Sequence, residues 1–369
     1  MMAGMRARQS THFTARKWVV AVLAGVVALG ATGCSWRLEE EPVVYPSADQ
    51  VTLARDAAAK REQQIIDALA TNADGDGSTS DLAVFELLAA PVHVDALGGV
   101  YVATPSPAPS PSPSPIVGSL ADAVAQARDA ALESAQTTTD ANLALLQSSI
   151  GLTHGLALWF STTGGALPVP DASATPSSVP SSTRSASPSA EPDVAATASP
   201  SAAPEPVTSA ERILPSSVNL GESFTPASTE TISPDTFGDL AVAHDKARFL
   251  YELIAARSSG GERANALARR DIHASRSAEF AALAGSDDRR QILYDVPLAD
   301  VADAAARART ALDTEFALGA TYASMLNGVA NDDRGWILNA SFDAYAAGAL
   351  QSGFTPDMFP VLPGIESAP

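Results

Sequence analysis

The chain has one cysteine in 369 residues, so no intramolecular disulfide can staple it. Aromatic residues are also scarce, at 6%, and no stretch alternates apolar and polar residues with the two-residue period of a strand. That argues against a sheet protein and against the α/β lobes of a solute-binding lipoprotein. Clustered basic residues are missing outside the N-terminus: 23 Lys and Arg stand against 42 Asp and Glu, for a net charge of -19. A surface of that sign repels phosphate and excludes nucleic acid as a partner. What is abundant is alanine, the best helix former and a residue that lets helices pack closely. The expected fold class is therefore all-α. The 26 prolines fall largely in Ser/Pro/Ala runs that cannot join a core, leaving material for two small folded regions.

Arg6, Arg8, Arg16 and Lys17 precede an apolar run from Trp18 to Leu29 that is short of the roughly 20 residues a membrane span needs. It reads as a signal peptide over residues 1–33. Ala31-Thr32-Gly33-Cys34 resembles the lipobox of bacterial lipoproteins, with Ala31 where leucine is commoner. The resemblance implies lipidation at Cys34, with the membrane as partner and the extracytoplasmic face of the cell membrane as location. A diacylglyceryl group carries the two chains that stable anchoring requires. Residues 34–46 would then be a tether.

The N-terminal helical region is expected over residues 47–163. Ser47 and Gln50 match a capping box ahead of a helix with Val51, Ala54, Ala58, Ile65 and Leu69 on one stripe and Glu62 mostly off it. Asn72 to Gly77 has the first half of a calcium loop, but Ala83 stands where the bidentate Glu is needed, so a plain turn into the cap Ser80 is the better reading. A second helix runs from Asp81 to about Ala90, where Pro91 perturbs it. A Pro/Ser-rich insertion over 104–116 must be extended. Helices then resume at Ser119 and through the apolar run from Leu143 to Trp159; whether Thr137 to Asp140 is a new cap stays open. His93 and His154 lack a Glu three residues upstream, which favours structural roles for both. Residues 164–233, rich in Pro, Ser, Ala and Thr, read as a disordered linker.

Residues 234–364 carry four amphipathic patterns, beginning at Asp235 or Thr236, Glu262, Ala299 and Asn331. They predict a four-helix bundle. His244, His273 with Arg276, Tyr294 and Pro297, and the late Phe359-Pro360-Val361-Leu362-Pro363 resemble a ferritin-like domain family of unknown function found in actinobacterial secreted and lipid-anchored proteins. That resemblance raises the question of a di-iron site, which needs two Glu-x-x-His pairs. Ala241 and Arg270 occupy the positions three before His244 and His273, and Arg270 would bring positive charge to the metal side. No metal, cofactor or catalytic residue is therefore expected, and His244, His273 and Arg276 are read as polar groups satisfied across the bundle. The chain is expected to act in binding or structure at the envelope rather than as an enzyme. The alternative is a metal-handling or oxidoreductase-type protein with a rearranged site around His244, His273, Glu252 and Glu315. The two helical regions could be tandem bundles or one larger body.

Overall fold

A computed structural model describes residues 48–72, 80–102, 118–163, 224, 226 and 230–365. The leader, lipobox and tether, the calcium-loop-like turn after Asn72, the Pro/Ser insertion and most of the long linker lie outside those residues. Among the described residues all regular structure is helical, with eight α-helices, short 3-10 turns and no strand.

The helices are α1 (Gln50–Asn72), α2 (Asp81–Leu97), α3 (Leu120–Thr137), α4 (Ala141–Thr163), α5 (Pro234–Arg257), α6 (Gly260–Ala284), α7 (Ala304–Met325) and α8 (Asn331–Ala349). Their ends follow local chemistry. Asp49 caps α1 by accepting the Thr52 amide at 2.7 Å. Ser80 accepts the Ala83 amide, and Ser119 with Asp122 forms a reciprocal capping box. The open question at Thr137 is resolved, since α3 stops there and Asp140 accepts the Leu143 amide at 2.7 Å to start α4. Ser233 caps α5, two residues before the expected Asp235, with Pro234 in the first turn. The expected helix from Ala299 divides into a 3-10 turn, Leu298–Val301, and α7, capped by Asp303. Pro91 does not end α2, which runs on to Leu97. Pro91 sits on the exposed side of the helix, as does Leu87, whose carbonyl loses the Pro91 N–H and can be met by water instead.

In the N-terminal half α1 packs on α2 and α3, and α4 on α2 and α3; in the C-terminal half α5 packs on α6 and α7, and α7 on α8. Of the two arrangements left open, tandem bundles or one larger body, the structure has the second: the two regions share a hydrophobic core. Phe85, Leu132 and Leu152 belong to the same cluster as Phe237, Phe280, Ile337 and Phe342. At about 2 kcal/mol for each large apolar side chain removed from water, that shared core is the main stabilising term. Helix α8 is its axis, with every residue from Asp333 to Ala349 buried, the mark of a central helix rather than a surface one. Helix α4 is long and apolar enough to cross a membrane by length and composition, yet 83% of its apolar window is buried against its neighbours.

Candidate metal centre

Each half buries a polar cluster. Glu62 on α1, Glu86 and His93 on α2 and His154 on α4 are all at most 2% exposed. Glu62 lies at the helical spacing of Ala58, Ile65 and Leu69, so it sits on the apolar stripe rather than off it. Glu86 and His93 are likewise seven residues apart on the buried face of α2.

The hydrogen bonds order this cluster. His93 Nε2 lies 2.9 Å from the Val361 carbonyl oxygen, which can only accept, so Nε2 carries the proton. His93 Nδ1 faces Glu62 Oε2 at 3.1 Å. His154 Nδ1 meets Glu86 Oε1 and His154 Nε2 meets Glu62 Oε1, each at 2.9 Å. Each imidazole thus has an outer acceptor, Val361 or Glu86, and turns its other nitrogen to Glu62. Burial pushes the Glu62 carboxyl up, but the His154 charge and bonds from both histidines take it down to about 2. Burial pushes His154 down, while Glu86 and then Glu62 raise it to about 10. With Glu62 ionised, His93 Nδ1 donates to it while His93 Nε2 donates to Val361, so without a metal the two buried carboxylates are balanced only by protons held on the imidazoles.

One ligand atom from each of Glu62, His93 and His154 lies within 4.8 Å of the others. Tetrahedral ligands about 2.05 Å from a metal stand roughly 3.3 Å apart, so the 2.9 and 3.1 Å contacts need to open by only a few tenths of an ångström. Two neutral imidazoles, two carboxylates and one divalent cation also sum to zero charge. A cavity of about 10 Å³, about the size of one water molecule, adjoins Glu62 and is lined also by Ala58, Arg61, Ala127, Ala131, Gln147 and Ile150, but by neither histidine. Gln147 Oε1 is buried there without a hydrogen-bond partner among the described residues. The donor set therefore fits a mononuclear site with two His and one carboxylate.

The C-terminal cluster is built differently. Tyr322 Oη donates to His244 Nε2 at 2.5 Å, His244 and His273 join through their Nδ1 atoms at 2.9 Å, and His273 Nε2 lies 3.0 Å from Glu315 Oε1. Burial pushes Glu315 up, but Arg269 and then His273 bring it far below the usual carboxylate range, so it is ionised. His273 Nε2–H must then donate to it, which makes His273 Nδ1 the acceptor and His244 Nδ1–H the donor. Burial above all holds both histidines below their usual value, and hence neutral. Arg269 grips Glu315 through Nε at 2.6 Å and Nη2 at 2.7 Å and reaches Asp343 through Nη1 at 2.8 Å; Arg276 meets Asp343 at 2.7 Å. Tyr251 Oη completes the shell by donating to Glu315 at 2.8 Å. Two guanidinium groups balance two carboxylates, and no cation is called for.

His244, His273, Arg276 and Glu315 thus converge as a charge-balanced polar core, in which Arg276 Nε and Nη1 have no hydrogen-bond partner among the described residues. Glu252 does not join them: its side chain is 56% exposed and pairs with Arg248 on the same helix. The inward arginine is Arg269, whereas Arg270 turns outward to its neighbour Asp271. Tyr294 pins the α6–α7 loop to α5 by donating to Asp245 at 2.9 Å. No family model, curated protein or solved structure matches the chain.

Proposed function

We propose that this chain is a lipid-anchored, extracytoplasmic helical protein that binds one divalent transition-metal ion through Glu62, His93 and His154. The observation that carries the reading is the contrast in charge between the two polar cores. The C-terminal core holds Arg269 and Arg276 against Glu315 and Asp343, whereas the N-terminal core sets Glu62 and Glu86 against imidazoles alone. Only protons on those imidazoles balance the carboxylates, and a divalent ion would displace them and take over their charge. Two nitrogens and one oxygen suit zinc or ferrous iron. Within this reading the C-terminal half is a ferritin-like bundle in which arginine takes the place of metal, so it serves structure or binding. Cys34 holds the protein at the membrane surface.

The test is metal analysis of the full-length protein purified in detergent and equilibrated with zinc. About one ion per chain is expected, falling below a tenth in Glu62→Gln and unchanged in Glu252→Gln. Retention by Glu62→Gln, or no zinc in the wild type, would overturn the metal reading. For the address, Cys34→Ser should move the protein from the membrane to the soluble fraction.

A further inference from the structure

The strongest clue to how the metal centre is controlled lies 268 residues from His93, in the Phe-Pro-x-Leu-Pro motif. The segment 359–365 leaves the end of α8's turn and crosses onto the N-terminal half. Phe359 is 3% exposed and sits edge-on to Phe85 at 5.8 Å, next to Glu86 in sequence. It also lies against Phe160 and Phe316, so one ring touches helices of both halves. Leu362 and Ile365 pack against Ala58, Ala131 and Ile150, on the walls around Glu62. At the far end Gly364 has φ +80, and a Cβ there would stand 2.2 Å from the Ala323 carbonyl oxygen of α7. Only glycine fits that position, so the segment is clamped to the C-terminal half at one point and to the metal centre at another.

Between the clamps Val361 presents its carbonyl. That oxygen accepts both His93 Nε2–H and Thr153 Oγ1–H at 2.9 Å, which uses both of its lone pairs. Pro360 and Pro363 restrict the backbone on either side and contribute no competing N–H. A backbone carbonyl accepting the outer N–H of a ligating histidine fixes its tautomer and aims its other nitrogen, and losing such a partner costs about 10- to 100-fold in metal affinity.

We infer that the 359–365 segment is a strap that positions His93 for the metal, so that strap docking and metal occupancy are linked and each strengthens the other. This rests on the metal reading above and names its control. Linkage is reciprocal: whatever factor the docked strap adds to metal affinity, bound metal adds to strap docking. Because Gly364 is lodged against α7, the C-terminal half, which needs no metal itself, sets the affinity of the centre in the other half.

The experiment uses full-length protein in detergent and zinc as the probe. Zinc affinity is measured by competition with a chromophoric chelator, and deuterium uptake of the 359–365 peptide is followed with and without zinc. Gly364→Ala dislodges the strap, and Thr153→Val removes the hydroxyl that shares the Val361 carbonyl. Each should weaken zinc binding by about tenfold or more while the far-ultraviolet helical signal is kept. Gly328→Ala is the control, since Gly328 has a similar φ of +79 but no neighbour within 4 Å, so it strains a turn away from the strap. It should leave affinity unchanged. Zinc should slow exchange of the strap in the wild type and not in Glu62→Gln. If the wild type binds zinc and Glu62→Gln does not, yet both strap variants bind like the wild type or zinc leaves strap exchange unaltered, the linkage is wrong and the metal centre stands. Absence of zinc binding by the wild type removes both.

Discussion

Arg269 reaches carboxylates on two different helices, and that reach decides how the C-terminal core responds to substitution. Arg269→Met leaves Glu315 and Asp343 buried with only Arg276 to balance them. Stripping one partner from a buried ion pair costs about 3–5 kcal/mol, far more than the pair itself is worth against an apolar replacement. Arg269→Met should therefore lower the urea midpoint sharply, and adding Glu315→Leu should recover part of the loss, a coupling that a double-mutant cycle reads directly. The same groups set the acid limit. Glu315 and Asp343 titrate near 4.5 and 3.8 when unfolded; in the fold burial pushes both up, but Arg269, with His273 at Glu315 and Arg276 at Asp343, holds both lower. Their stabilisation is complete above the unfolded values and is lost as pH falls through the folded ones. Tyr251 also faces Glu315, and it stays protonated because burial and the Glu315 charge raise it well above its usual value. His244 and His273, held neutral in the fold, take up protons on unfolding, so the urea midpoint should decline from about pH 7 to 5 and fall further below about 4.5, and in Arg269→Met the loss below 4.5 should be smaller because the folded Glu315 value moves back toward the unfolded one. A midpoint that rises on acidification would contradict the ionised assignment. The sequence exposed half of this chemistry. His244, His273, Arg276 and Glu315 stand out as polar residues on apolar helices, but Arg269 and Arg270 are neighbours, and a phase difference of about 100° decides which one turns inward. In the other cluster the sequence places only His154 in an apolar helical run; Glu62 reads as off its stripe and His93 as beyond the end of its helix. Their meeting was not legible, because it depends on how α1, α2 and α4 pack and on a carbonyl at Val361, and no local period encodes either.

Helix boundaries were legible at the caps Ser80 and Ser119, undecided at Thr137 to Asp140, where only the structure shows Asp140 capping, and misleading where competing caps stand side by side, as at Ser233 to Thr236. Pro91 misleads for a different reason: proline costs a helix about 3 kcal/mol in isolation, yet tertiary burial of Phe85, Ala89, His93 and Leu97 on the opposite face carries α2 through it. The contact between α7 and α8 gives the clearest element-scale prediction. Gly348 lies so close to α7 that a Cβ would sit 2.5 Å from the Phe316 ring and 3.3 Å from Glu315 Cβ. Alanine is favoured over glycine inside a helix by about 1 kcal/mol, so a bare propensity argument makes Gly348→Ala stabilising. Overpacking costs about 1–3 kcal/mol and here has little room to relax, because Phe316 is wedged against Tyr345 and Phe359. The substitution should lower the thermal midpoint, and a rise would show that Phe316 moves aside freely. Gly261, at the start of α6 with nothing within 4 Å, should respond the opposite way to alanine.

At the scale of the molecule, the shared core and the strap make the two halves one energetic unit, with consequences that a two-domain chain would not show. Phe342 on α8 meets Trp159 on α4 at 6.2 Å, and Phe359 bridges α2 and α7. Unfolding one half would strip the other of the face on which it packs. The proposed metal centre lies wholly in the N-terminal half, while Trp336 lies in the C-terminal half against Phe280 and Tyr322. A variant with Trp18, Trp36 and Trp159 all changed to Phe leaves Trp336 as its one tryptophan, so its fluorescence reports on the half that holds no metal. Zinc at 100 times its dissociation constant stabilises the species that binds it by about 2.7 kcal/mol. If the halves unfold together, that whole increment should appear in the urea transition read from Trp336, with one midpoint shared by fluorescence and helical ellipticity. Glu62→Gln should unfold at the same midpoint with and without zinc. Two independent halves would instead leave the Trp336 transition where it was while ellipticity split into two steps, and that outcome would return the chain to a pair of domains on a linker.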